Sequence, residues 1–221
     1  WDSSRSERLH RMMCYMEPYK HMVLVGWCGD SPADLSLEAF ADADFASDYN
    51  TARSTTGGIL FLTGPDTRFA LSFVSKKQGC ISHSTPEAET VALSHVLRVF
   101  GLPAVMLWSA VLCRPVQLLL REDNTVCMHV ITTGNNPTMR HLERVHNFAV
   151  QWIHELYSNK HFTVTRVDTN AQAADIFTKP FGHGETAKWE SNLRLINMAV
   201  DSKFWAPQSA GGGSIPPKAT K

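Results

Sequence analysis

Ser82–Leu97 reads SHSTPEAETVALSHVL, hydroxyl residues and a proline running into an apolar pattern at helical spacing. Thr85 followed by Pro86 at the first helical position is one possible helix start, because a missing N–H costs nothing there. Ser84 with Glu87 three residues on is a competing capping box. The apolar stripe is Ala92, Leu93, Val96, Leu97 and Phe100, and Glu89 stands three and four residues before the first two. Glu89 therefore points along the buried face, whereas Glu87 lies at the capping end with Thr90 and Ser94 on its side. An inward carboxylate needs a proton, a partner or a metal. No cation stands in the turn that carries Glu89, so the partner must come from elsewhere in the chain.

Upstream, Leu35–Phe45 (LSLEAFADADF) alternates. Leu37, Ala39, Ala41 and Ala43 take one face and Glu38, Phe40, Asp42 and Asp44 the other, which predicts a strand. Residues 48–56 are polar and loop-like, Gly57–Thr63 reads as a second strand, and Phe69–Ser75 follows the Gly64-Pro65-Asp66 turn as a third. Their short connections predict an antiparallel meander.

Downstream, Gly101 and Pro103 interrupt the helical pattern before Ala104–Leu112 resumes it, predicting a kinked or two-part helix. Val116–Leu120 is wholly apolar, as in a strand covered on both faces, and Arg121-Glu122-Asp123-Asn124 follows its end. Thr125–Ile131 reads as helix, Thr133–Pro137 as loop, and Arg140–Tyr157 as a long helix with Leu142, Val145, Phe148, Ala149, Trp152, Ile153 and Leu156 in its stripe. His161–Val167 alternates as a strand. Thr169 and Gln172 offer a capping box for a short helix through Asp175 to Thr178, ended by Lys179-Pro180. The resulting α/β order is a mixed sheet, an antiparallel three-strand meander plus parallel strands with flanking helices. Outside it, Trp1–Val25 looks helical, with Leu9, Met12, Met13 and Met16 on one side. Trp189–Met198 suggests one more helix, and residues 206–221 a flexible tail.

The chain of 221 residues has room for one domain plus extensions. Its start has no signal or transit pattern and reads as a piece of a longer polyprotein. The run Leu102–Cys113 is too short to span a bilayer, so no membrane partner is expected. Lysine plus arginine equal aspartate plus glutamate at 21 each. No global basic field exists, although Arg68, Lys76, Lys77, Arg140 and Arg144 could form a local one. The five scattered cysteines favour a reducing compartment without a disulfide framework. Neither His10 with Cys14 nor His141 with His146 has a second pair to complete a zinc site.

Four carboxylates stand out by position: Asp42 near the end of the first strand, Glu89 on the inner helix face, Asp123 after the apolar strand, and Asp175 on the last short helix. Ends of neighbouring strands meet in open α/β sheets, and ligands bind there. Like charges at one spot repel unless cations neutralise them, and an all-carboxylate shell favours Mg²⁺ or Mn²⁺. On the ordinary reading Asp44, Asp48 and Glu122 are solvated turn acids, and Asp175 is a surface residue paired with Lys179 four residues on.

The pieces FADADFASDYNTARSTTGGILFL, SFVSKKQGCISHSTPEAETVALS, LLLREDNTVCMHV, RHLERVHNFAVQWIHEL and VDTNAQAADIFTKPF occur in this order. Together they resemble the ribonuclease H domain of the Pol polyprotein of copia-type LTR retrotransposons. The resemblance implies a ribonuclease H-like domain over residues 35–181 and a linker or reverse transcriptase remnant over 1–34, which leaves 182–205 as a C-terminal extension. It implies an endonuclease that cuts the RNA strand of RNA–DNA hybrids with two divalent ions, Mg²⁺ or alternatively Mn²⁺. Asp42 would bridge both ions, Glu89 and Asp123 would complete one site, and Asp175 would hold the ion that activates water. Arg53, Ser54, Lys76, Asn124 and His141 would contact nucleic acid. The reverse transcriptase region of the same polyprotein would be a partner, in a cytoplasmic virus-like particle or the nucleus. Phe45, Thr90 and Arg144 depart from the family pattern, which keeps a non-catalytic or domesticated module as the alternative. A receiver-like phosphoacceptor domain using Asp42, Asp44, Asp123 and Lys179 conflicts with the meander.

Overall fold

The computed structural model describes residues 1–135, 139 and 150–200. In chain order the elements are α1 (Ser3–Tyr19), β1 (Met22–Leu24), β2 (Trp27–Cys28), β3 (Ser36–Asp44), β4 (Thr55–Gly64), β5 (Thr67–Lys77), α2 (Thr85–Val96) and α3 (Leu102–Val111). There follow β6 (Leu118–Glu122), α4 (Thr125–Thr133), α5 (Val150–Ser158), β7 (Thr163–Arg166), α6 (Thr186–Leu195) and β8 (Met198–Val200). Six strands form one sheet in the order β2-β5-β4-β3-β6-β7. β3, β4 and β5 are the expected antiparallel meander, and β6 and β7 extend the sheet in parallel on the far side of β3.

The alternation along β3 sorts its side chains between two cores. Leu37, Ala39 and Ala41 pack with Leu60, Leu93, Val96, Leu97, Leu118, Leu120, Val130 and Ile153 on one side. Phe40 packs with Ile59, Phe61, Ala173, Ala174 and Ile196 on the other. Each fully buried leucine in the first core contributes about 1.5–3 kcal/mol of transfer free energy. Two adjacent glycines on β4 let the covering layers close down. A Cβ on Gly58 would lie 2.4 Å from Val96 of α2, and one on Gly57 would lie 2.5 Å from Thr178 and 2.9 Å from the Ala174 carbonyl.

Ser84 caps α2, its hydroxyl accepting the Glu87 N–H at 3.4 Å, while Glu87 Oε2 accepts the His83 N–H at 3.0 Å. Thr85 is thus the first helical residue, not the cap. The interruption at Gly101 is a π-helical turn, Leu97–Gly101, which joins α2 to α3. The run Thr85–Val111 is long and apolar enough to cross a bilayer by length and composition alone. Its first half is nevertheless the helix that buries Ala88, Ala92, Leu93 and Val96 in the domain interior.

Some local expectations yield to tertiary contacts. β6 does not stop at Leu120 but runs to Glu122, and Arg121 reaches Glu38 of β3 at 2.7 Å and the Thr165 hydroxyl of β7 at 2.9 Å. The Thr169–Gln172 box does not form. Asp168 caps that turn by accepting the Asn170 N–H at 2.9 Å, and buried Gln172 donates to the Ala41 carbonyl at 2.9 Å instead. A single 3-10 turn, Asp175–Phe177, stands where the short helix was expected. Of the helix expected over Arg140–Tyr157, residues 140–149 lie outside the described residues, as do 201–221.

β1 and β8 form a separate two-stranded antiparallel ladder that ties the N-terminal segment to the C-terminal one. Nearby, the Tyr19 and Trp189 rings pack 4.8 Å apart. Arg68 joins the C-terminal segment to the sheet. It donates to the Leu195 carbonyl and to Glu38, each at 3.1 Å, and its guanidinium lies 4.0 Å from the Phe61 ring centroid. On α1 the expected stripe of Leu9, Met12, Met13 and Met16 is exposed.

Candidate metal centre

β3 and β6 run parallel with Phe40 paired to Arg121, so Asp42 and Asp123, two residues further along each chain, emerge side by side at the ends of the strands. α2 brings Glu89 to the same place, beside the Ala43 backbone N–H. One oxygen from each of Asp42, Glu89 and Asp123 falls within 4.8 Å of the others. Asp42 and Glu89 are only 2% and 4% exposed. Asp123, half-buried, accepts the Thr169 hydroxyl at 3.0 Å.

Asp175, also buried, is joined to this group through a cation. Lys179 Nζ lies 2.5 Å from Asp175 Oδ1 and 3.8 Å from Asp42 Oδ1. The Thr178 hydroxyl donates to Asp42 Oδ2. The pairing of Asp175 with Lys179 read from the sequence is present, but in a buried setting shared with Asp42 instead of on a helix surface.

Glu122 corrects the sequence reading. Expected as a solvated turn acid, it is 0% exposed. Its Oε1 accepts the Asn124 N–H at 3.0 Å, and its Oε2 has no hydrogen-bond partner of normal geometry among the described residues, with the Cys127 thiol beside the carboxyl. The signal was present in the sequence. Leu118, Leu120 and Glu122 share the inward face of β6, two-residue spacing carried past the point where the apolar run ends.

Burial dominates the electrostatics. It lifts the Asp42 pKa to about 6, with Lys179 and the Thr178 hydroxyl opposing and Asp175 and Asp123 adding to the rise. Burial, then the charges of Glu122, Asp42 and Asp123, raise Glu89 to about 10. Burial holds Glu122 well above the ordinary carboxylate range and raises Asp175 against the opposing pull of Lys179. Without a metal, Glu89 is set to hold a proton at neutral pH.

The residues fit a hard divalent cation. Among the described residues the donors are all carboxylate oxygens without histidine or cysteine, the set that suits Mg²⁺ or Mn²⁺. Glu89 Oε2 is also buried with no hydrogen-bond partner among the described residues, an orphan that a cation would satisfy.

The residues expected to contact nucleic acid divide. Arg53 and Lys76 are exposed, on the turn before β4 and on β5. Ser54 is a correction. It is fully buried, its hydroxyl accepts the Ala46 N–H at 3.1 Å, and its carbonyl accepts the Gln78 N–H at 2.8 Å, so it shapes the turn and offers no surface. Asn124 caps α4, its Oδ1 accepting the Val126 and Cys127 N–H groups at 3.0 Å each. His141 lies outside the described residues.

No family model matches the chain. The chain is 29% identical over 169 residues to the retrovirus-related Pol polyprotein from transposon TNT 1-94 of Nicotiana tabacum, a match covering 75% of this chain and 12% of that polyprotein. The chain therefore spans only a small part of this relative. Among solved structures it is similar to LC11-RNase H1 isolated from compost, at 13% identity and a TM-score of 0.45, covering 65% of this chain and 92% of that one. It is also similar to the N-terminal RNase H domain of a Mycobacterium tuberculosis protein, at 12% identity and a TM-score of 0.41, covering 72% of this chain and 97% of that one. The resemblance to a retrotransposon Pol polyprotein, read from the motifs, is borne out by the tobacco relative.

Proposed function

From the likeness to a Pol polyprotein and the pocket of converging acids, we propose that the chain is a metal-dependent ribonuclease H. It hydrolyses the RNA strand of RNA–DNA hybrids during reverse transcription of a retroelement. The carrying observation is the convergence of Asp42, Glu89 and Asp123 oxygens within 4.8 Å, contributed by two strand ends and a helix.

Asp42, Glu89 and Asp123 would hold one divalent ion, Mg²⁺ or Mn²⁺, and Asp42 with Asp175 a second. When bound, such ions stabilise charge on the phosphodiester oxygens and lower the pKa of the attacking water. The chain's own part is positioning. Thr178 fixes one Asp42 oxygen, and the Thr169 hydroxyl holds Asp123. Exposed Arg53 and Lys76 would attract phosphates, and the 2′-hydroxyl would distinguish RNA from DNA. On this reading the reverse transcriptase region of the same polyprotein is the natural partner, and the element's cytoplasmic particle the place of action.

The test is cleavage of a labelled RNA–DNA hybrid by the wild-type chain and its Asp42→Asn variant, in Mg²⁺ and in Mn²⁺. Cleavage by the wild type alone is expected. RNA left intact by folded, metal-bound wild type overturns the enzyme reading in favour of a non-catalytic module.

A further inference from the structure

The four acids are not equivalent. Asp42, Glu89 and Asp123 share a pocket in which one Glu89 oxygen lacks a hydrogen-bond partner among the described residues. The gap between Asp42 and Asp175, by contrast, already contains a positive charge. Lys179 Nζ contacts Oδ1 of both, at 3.8 and 2.5 Å. The placement is built into one turn, because the Lys179 N–H also donates to the Asp175 carbonyl at 2.9 Å. Asp42 divides its oxygens, Oδ1 toward Lys179 and Oδ2 toward Thr178.

We propose that Lys179 is the resident cation of the second metal position, so that the protein without nucleic acid binds one divalent ion in the Asp42–Glu89–Asp123 pocket and admits a second only when the Lys179 ammonium moves aside. The proposal rests on the metal-dependent reading above and adds the order in which the ions arrive. An ammonium and a divalent ion cannot both occupy the space between two carboxylates, because each needs the same oxygens and they repel one another. Two carboxylates flank the Lys179 side chain, and the ion pairs with both keep its amino group in this position. Its side chain is 27% exposed, which leaves a way out toward solvent. An incoming phosphodiester, itself anionic, is the group that would draw it there. The second ion would then be confined to the loaded complex.

The experiment is a Mn²⁺ titration without nucleic acid, followed by the electron paramagnetic resonance of free Mn²⁺, on wild type, Lys179→Met and Lys179→Arg. Wild type and Lys179→Arg are expected to bind one ion. Lys179→Met is expected to bind two, or to tighten the second by at least about tenfold. A methionine variant too unstable to handle metal-free is refolded in Mn²⁺. Its melting temperature should then depend on Mn²⁺ more steeply than that of wild type, since the ion replaces the lost ammonium. Equal stoichiometry and affinity in wild type and Lys179→Met overturn the proposal and leave the proposed function standing. Absence of any bound Mn²⁺ from wild type counts instead against the metal-dependent reading itself.

Discussion

Glu89 and Glu122 are buried as neighbours, one from α2 and one from β6, each with an oxygen that has no hydrogen-bond partner of normal geometry among the described residues. After burial itself, the charge of Glu122 is what most raises the pKa of Glu89. Two carboxylates so placed cannot both ionise without help.

Stability of the metal-free protein should therefore fall with rising pH. Glu89 titrates from 4.5 in an ordinary setting and at about 10 in the fold. Between those values the folded chain binds more protons than the unfolded one, so the stability present below the lower value is lost as pH rises toward the upper. Thermal melts in chelator should show a lower midpoint near about pH 8 than near about pH 5, and Glu89→Gln should flatten the dependence. A midpoint that rises over this range in the wild type would contradict the burial of an ionisable pair.

Metal binding should release protons. With Glu89 at about 10 and Asp42 at about 6, an ion entering at neutral pH must displace about one proton, chiefly from Glu89. Calorimetric titration with Mg²⁺ or Mn²⁺ in buffers of different ionisation enthalpy should give different apparent heats. Identical heats in all buffers would place the proton elsewhere.

Replacing Asp123 by Asn should abolish cleavage, by about a hundredfold or more, with little loss of folded stability. The substitution removes one of several clustered like charges and so relieves repulsion. Cleavage assays paired with melting curves decide it. Intact cleavage with a lowered melting temperature would remove Asp123 from the site.

Gly57→Ala should disturb the site from the opposite strand. Gly57 is paired with Asp42, and a Cβ there meets Thr178 and the Ala174 carbonyl, which belong to the segment that carries Asp175. Overpacking of this kind costs about 1–3 kcal/mol. Urea denaturation should show that loss, together with weaker cleavage as Asp175 and Lys179 are pushed off the sheet. Unchanged stability would mean that the segment moves freely.

The sequence carried the sheet and most of the acid pocket because both rest on short-range periodicity. Two-residue alternation in Leu35–Phe45 placed Asp42 on a defined face, and the helical stripe turned Glu89 inward. Glu122 is hidden because the apolar run ends at Leu120, although the same alternation continues for one more step. The remaining misses have no local signal. Ser54 is committed by partners eight and twenty-four residues away, Ala46 and Gln78. Gln172 leaves its capping role for a carbonyl on β3, 131 residues earlier. Lys179 was legible as a partner for Asp175 by helical spacing, but its approach to Asp42 exists only once the last segment folds across the sheet.

The ladder between Met22–Leu24 and Met198–Val200 sets the entry and exit of everything between them at one doorway. A module whose two connections leave from a single spot can be spliced into a surface loop of another protein without stretching either junction, and its strands can be re-threaded from a new starting point. Such portability suits a unit carried inside a larger polypeptide. It would also let the module be grafted onto a chosen carrier through two adjacent junctions.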